Sequence, residues 1–134
     1  MTIPSMVSIP TFTATIYCGT YVRHGDYFHD VKEAYNICSN YCNEIGLCVS
    51  ITETEFVYTN GFEPGIAVGF INYPRFPDDP YRIRDKAIEL GKRLLDKMEQ
   101  CRVSIVCSYP SVPSSRLNET IMLTNEDLVN GISR

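Results

Sequence analysis

Between residues 11 and 108 the spacing of apolar side chains switches between the period of a strand and that of a helix in the order β-α-β-β-α-β, and few folds accept that order. Phe12, Ala14, Ile16, Cys18 and Val22 alternate with Thr13, Thr15, Tyr17 and Tyr21, which predicts a first strand. A turn is expected over Arg23, His24, Gly25 and Asp26. Asp30 then suits the cap of a helix whose apolar face is Val31, Ala34, Tyr35, Cys38, Cys42 and Ile45, ended by Gly46. A second strand opens at Leu47, Val49 and Ile51 and runs to Tyr58. The glycines and Asn60 of residues 60–65 should reverse it into a third strand over residues 66–73. Three prolines within residues 74–80 make a stiff loop, and Asp79 and Pro80 cap and open a second helix with Ile83, Ala87, Leu90, Gly91, Leu94 and Met98 on one face. Residues 103–108 (VSIVCS) read as the fourth strand.

This order predicts an α+β fold of the ferredoxin-like β-α-β-β-α-β plan: a four-stranded antiparallel sheet with two helices on one face. The expected parts are an N-terminal extension (residues 1–10), the core domain (11–108) and a C-terminal arm (109–134), the last with a short extended piece near Ile121 and a helical turn after Asn125. A chain of 134 residues is long enough to bury one core. The sheet face opposite the helices carries Thr13, Thr15, Tyr17 and Tyr21, and such a half-apolar face commonly associates, so a homo-oligomer is expected.

Twelve Lys and Arg against sixteen Asp and Glu leave a net charge of −4, which opposes the counterion-releasing contacts that nucleic-acid binding needs. Nucleic acid is therefore not expected as a partner. No apolar run is long enough to span a bilayer and the N-terminus lacks a signal-peptide pattern, so a cytoplasmic protein with free thiols is expected. The Asn118-Glu119-Thr120 sequon would then go unused.

The chemical motifs are sparse. Cys38, Cys42 and Cys48 lie close in sequence, but there is no Cys-x-x-Cys or His-x-x-x-His pair, and no metal or other cofactor is expected. His24 and His29 share one loop and lack the spacing of a two-His phosphoesterase, while Gly61, Gly65 and Gly69 lack the context of a phosphate-binding loop. Ile66 and Val68 stand where an RNA-recognition motif would place stacking aromatics. Glu53 and Glu55 read as edge-protecting charges on the second strand.

Arg82, Arg84 and Lys86 occupy the first turns of the second helix, where positive charge opposes the helix dipole. Either Asp78 and Asp79 offset them, or they belong to an anion site with Arg75 at the helix N-terminus. The expected ligand site is Arg75, Arg82, Arg84, Tyr73 and Asn72, and the expected interaction surface is Tyr17, Tyr21, Phe62, Glu63 and Phe76. No catalytic residue is assigned.

The segment over residues 52–108, with its GFEPG turn, NYPRFP loop, amphipathic helix and VSIVCS strand, resembles small proteins of unassigned function encoded by tailed bacteriophages. That resemblance implies action in an infected bacterial cell and supplies no catalytic residues. The functional expectation is a non-catalytic accessory protein, not an enzyme, that binds a nucleotide-like anion and sequesters a host defence signal. The alternatives are an inhibitor of a host protein, acting through the hairpin, proline loop and arm, and a small enzyme.

Overall fold

The computed structural model describes residues 2–22 and 27–131, so the turn expected at Arg23, His24, Gly25 and Asp26 lies outside the described residues. Strand β1 (Thr13–Gly19) leads to a two-residue pair, β2 (Tyr21–Val22) with β3 (Tyr27–Phe28), and then to helix α1 (Val31–Ile45). Strands β4 (Ser50–Tyr58) and β5 (Gly61–Ile71) follow as a hairpin, then helix α2 (Pro80–Lys97), strands β6 (Arg102–Ser108) and β7 (Thr120–Thr124), and a single turn, α3 (Glu126–Val129).

The main sheet is antiparallel with order β4-β5-β1-β6-β7, five strands and not the expected four. The fifth comes from the segment read as an arm. Its five residues alternate weakly and follow a Pro/Ser-rich stretch, so sequence periodicity barely registers them, yet β7 occupies the otherwise unpaired side of β6, with Val103 opposite Leu123 and Ile105 opposite Ile121. Buried Leu117 and Leu128 anchor the segments on either side of it.

Both long helices cover the same sheet face. Asp30 caps α1 by accepting from the Lys32 amide, Glu33 reaches back to the Asp30 amide, and Gly46 closes the helix at φ 71°. Asp79 caps α2 through the Tyr81 amide, with Pro80 as its first residue. Ala14, Ile16 and Cys18 of β1 pack with Ile66, Val68 and Phe70 of β5, Val103 and Ile105 of β6, and Ala87, Leu90 and Leu94 of α2. The apolar face of α1 differs by one aromatic from the sequence reading, since Tyr41 is fully buried and Tyr35 is mostly exposed. Tyr41 can enter the core because its hydroxyl donates to Glu89 and the Arg93 guanidinium lies 4.6 Å from its ring centre, which satisfies the polar end.

The β4–β5 hairpin turns tightly at Thr59–Asn60, with Asn60 at φ 61°, so β5 begins at Gly61 and includes residues expected to form the loop. Pro64 fits inside this strand because its carbonyl accepts from the Thr20 hydroxyl on the side away from β4. Its nitrogen points the same way, and the missing N–H costs the β4 ladder nothing. Beyond Gly65, where β1 ends at Gly19, the hairpin continues as a two-stranded ribbon.

Candidate active site

The sheet end at which β1 leaves β5 holds a hydrogen-bonded carboxylate on the open face. Gly19 and Gly65 pair there, and the missing side chains are required: a Cβ on Gly19 would stand 2.7 Å from Glu63 Oε2, and one on Gly65 would strike the Phe56 ring. Glu63 lies across that gap and accepts from the backbone amides of Thr20 (3.2 Å) and Tyr21 (2.8 Å), both on Oε2. Among the described residues Oε1 accepts no hydrogen bond.

The segment that supplies the two amides is held from several sides. The hydroxyl of buried Thr20 donates to the Pro64 carbonyl (2.6 Å), the Thr20 carbonyl accepts from the His29 amide (2.9 Å), and Gln100 Nε2 donates to the Tyr21 and Met98 carbonyls. The His29 side chain adds a clamp, with Nδ1 on Glu33 and Nε2 3.0 Å from Glu99. Burial alone would lower the His29 pKa, and the hydrogen bonds and charges of Glu33 and Glu99 more than reverse this, so it lies above its ordinary value.

Aromatic rings surround the Glu63 carboxylate. Phe56 lies over Gly65 and meets Tyr17 edge-on, ring centres 6.4 Å apart, while Tyr21 packs against Phe28. Tyr58, at the base of the hairpin turn, has its phenol pKa raised by desolvation and then by Glu63 and Tyr21, which places all three in one electrostatic neighbourhood. Behind the Thr20–Pro64 contact, on the helix side, a cleft of about 370 Å³ is lined by Phe28, His29, Asp30, Val31 and Glu33. It continues through Asp30 and Val31 into a groove of about 490 Å³ with Lys32, Tyr35, Ile51, Glu53 and Ile66. Their charged lining is mixed, with Asp30, Glu33 and Glu53 beside Lys32 and His29.

The residues expected to hold an anion lie at the opposite end of β5. Asn72, Tyr73 and Phe76 line a cleft of about 190 Å³ with Cys48, Asp78, Ile83 and Lys86, but Arg75, Arg82 and Arg84 are not among its lining residues. Arg75 is exposed on the loop, and Arg82, also exposed, is 3.7 Å from Asp78, which Lys86 holds at 3.1 Å. Arg84 turns towards Glu119 (3.8 Å), with its Nε buried and unpaired. The Asn72 amide group is engaged in both directions by the Asp78 backbone (2.9 and 3.0 Å). Lys86 first, then the Asp79 amide, hold the Asp78 carboxyl below the usual carboxylate range. Of the expected interaction surface, Tyr17 and Glu63 lie at the sheet end just described, Tyr21 beside them, Phe62 exposed on the ribbon and Phe76 exposed on the proline loop.

Other nucleophiles are muted. Burial pushes the Cys18 and Cys38 thiols up to about 12, so neither provides a thiolate near neutral pH. Among the described residues no group of three or more His, Cys, Asp or Glu side chains is arranged to hold a metal ion, and no helix is long and apolar enough to cross a membrane. Sequence reading placed Glu63 with Tyr17 and Tyr21 on an interaction surface and did not single out Thr20, Phe56 or Tyr58. Gly19 and Gly65 were the available signal, two small residues flanking an acid in register.

No protein-family model matches the chain, and no curated protein matches it in sequence. Two solved structures share its architecture: a phage SAM lyase in the apo state (TM-score 0.74, 18% identity) and a phage SAM lyase in complex with S-methyl-5'-thioadenosine (TM-score 0.73, 16% identity). Each match covers 93% of this chain and 98% of the other. The expectation of a non-catalytic, nucleotide-sequestering binder is corrected by these likenesses, because the matching proteins are enzymes; the enzyme alternative is the better reading. They are also phage proteins, in keeping with the phage context that the sequence resemblance implied. Over nearly its whole length the chain shares the fold of a phage SAM lyase.

Proposed function

We propose that this chain is an S-adenosylmethionine (SAM) lyase of phage origin, acting in the bacterial cytoplasm and releasing S-methyl-5'-thioadenosine. The observation that carries the proposal is the Glu63 carboxylate, fixed by two backbone amides among aromatic rings, on the fold that the SAM lyases share. In this reading the β-α-β-β-α-β unit is a ferredoxin-like core to which β7 is added.

The chemistry follows from the substrate. Cleaving the bond between sulfur and the four-carbon amino-acid portion returns the bond electrons to sulfur and turns the sulfonium into a neutral thioether. Without water, the fragment must close through its own carboxylate or lose a proton from the neighbouring carbon. Closure needs no base, which fits this site: His29, the one histidine among the described residues, is held as a donor between two carboxylates, and the two most buried thiols stay protonated.

Closure also cancels the carboxylate charge against the sulfonium charge, leaving a neutral thioether and a cyclic ester that keeps its ammonium, a step accelerated where water is excluded and the surroundings are weakly polar. Tyr17 and Phe56 offer such a wall. A protein carboxylate set directly at the sulfonium would stabilise the ground state more than the transition state. Glu63 is therefore assigned to positioning, with Oε1 accepting from a hydroxyl or ammonium of the substrate.

The open sheet face, with exposed Tyr17, Ile71, Val106 and Met122, is proposed to join copies of the chain into a homo-oligomer, tested by light scattering; a monomer mass at every concentration would refute it. The function is tested by incubating purified protein with SAM and following S-methyl-5'-thioadenosine by chromatography. Product formation that falls on replacing Glu63 by Gln is expected. No product from folded, wild-type protein would overturn the assignment.

A further inference from the structure

Cys38, Cys42 and Cys48 line one open groove of about 360 Å³ between α1 and the segment that enters β4. The chain folds back over Cys42 as α1 ends, and the Cys42 carbonyl accepts from the Gly46 amide (2.9 Å) and the Leu47 amide (3.3 Å). Burial first, and then the charge of Cys48, raise the Cys42 thiol above its ordinary value, while the Val49 amide, directed at its sulfur, opposes this. Val49 follows Cys48 directly, so the half-buried Cys42 sulfur lies against the peptide that carries Cys48.

Cys48 is exposed, with its sulfur 3.5 Å from the Tyr73 hydroxyl. It lines both the groove and the cleft of Asn72 and Lys86, and so forms the wall between them. Rotation about its Cα–Cβ bond carries the sulfur from Tyr73 towards Cys42. Cys38 is not a competing partner. It is fully buried, and burial pushes its thiol up to about 12. It also lies four residues from Cys42 on one helix, where Cβ atoms are about 5–6 Å apart against the roughly 3.5–4.5 Å of a disulfide.

We propose that Cys48 and Cys42 form a reversible oxidation site, in which a hydroperoxide oxidises the Cys48 sulfur and Cys42 closes a disulfide that ties the end of α1 to the segment entering β4. With hydrogen peroxide, the Cys48 thiolate attacks one oxygen, the O–O bond breaks, and sulfenic acid and water form. The Cys42 sulfur then displaces hydroxide from the sulfenic sulfur, and the Cys42 proton leaves with that hydroxide as a second water. Two thiols are oxidised to one disulfide and one peroxide is reduced to two waters. Gly46, at φ 71° with open space around it, gives the connecting turn room to adjust. The site lies at the Asn72 end of β5, away from Glu63, and does not rest on SAM cleavage.

The test exposes the full chain to hydrogen peroxide, alkylates the remaining thiols under denaturing conditions and maps the peptides by mass spectrometry. A Cys42–Cys48 linkage within one chain is expected, two hydrogens lighter than the reduced form and returned to thiols by dithiothreitol. In Cys42→Ser the Cys48 sulfur should pass on to sulfinic acid, so the thiol recovered by dithiothreitol falls about fivefold or more against wild type. Equal recovery in a folded Cys42→Ser chain overturns the pairing. In wild type, a linkage to Cys38, a linkage between two chains through Cys48, an oxidised Cys48 beside a Cys42 thiol, or a Cys48 that stays reduced overturns it as well. The wild-type map decides the question even where the variant fails to fold.

Discussion

A neutral imidazole has one N–H and one lone pair, so His29 satisfies both Glu33 and Glu99 only as an imidazolium. The groups facing it are these two carboxylates, Tyr27, whose ring lies 5.9 Å away and whose phenol also bonds Glu99, and Asp30 at the start of α1. Deprotonation puts a lone pair against a carboxylate. Because the folded pKa is raised, the stabilisation is fully present below the unfolded value near 6.5 and is lost as pH rises through the folded value. A hydrogen bond between charged groups contributes about 1.5–3 kcal/mol. The Glu33 side chain is 52% exposed and the Glu99 side chain 32%, so solvent screening reduces the total to about 1–2 kcal/mol. At about 4 °C per kcal/mol that is about 4–8 °C in Tm. The assay is thermal unfolding of wild type and His29→Gln from pH 6 to 9. Wild type should be more stable at the acidic end, with the two converging as pH rises. A difference that is constant or grows with pH would refute the clamp.

Three substitutions test the rest of the site and core. Glu63→Gln should lower kcat/KM for SAM cleavage about 10- to 100-fold, or about 1.4–2.7 kcal/mol, with little change in Tm, since the amide oxygen can still accept from Thr20 and Tyr21; equal activity would remove Glu63 from the site. Gly19→Ala should displace that carboxylate and cost about 1–3 kcal/mol of stability together with most activity, measured by urea unfolding and product release. Gly46→Ala, at φ 71° with open space around it, should cost about 1 kcal/mol and leave kcat/KM unchanged.

The capped helices and the four expected strands were legible because each rests on a local rule: Asp30 and Asp79 cap, Gly46 stops, and Ala14, Ile16 and Cys18 face one way. What sequence reading lost depends on contacts distant in the chain. Strand β7 exists because β6 has a side to fill, and Tyr41 is buried because Glu89 and Arg93 meet its hydroxyl and ring. Glu63 looked like a hairpin-tip acid. Only the register of Gly65 with Gly19 brings it over the Thr20 and Tyr21 amides, 42 or more positions away.

The charge pattern was legible in sum and misleading in place. Arginines at the start of α2 suggested an anion, yet the structure pairs Arg82 and Lys86 with Asp78, and Arg84 and Arg116 with Glu119, while Arg93 meets Glu44 and Glu89. Asp30, Glu33, Glu53, Glu63 and Glu99 outnumber Lys32 and His29 around the Thr20–Pro64 end, so the net field there is negative and favours a ligand of net positive charge, which SAM is, with a sulfonium and an ammonium against one carboxylate. Exposed charges act over a Debye length, about 30 Å at 0.01 M salt and about 10 Å at 0.1 M. Raising salt between those limits should lower kcat/KM roughly two- to fivefold, mainly through KM, since the closed site is screened less than the approach to it. Stopped-time product assays across a salt series read this directly. A kcat/KM that is flat or rises with salt would mean that these acids play no part in attracting the substrate.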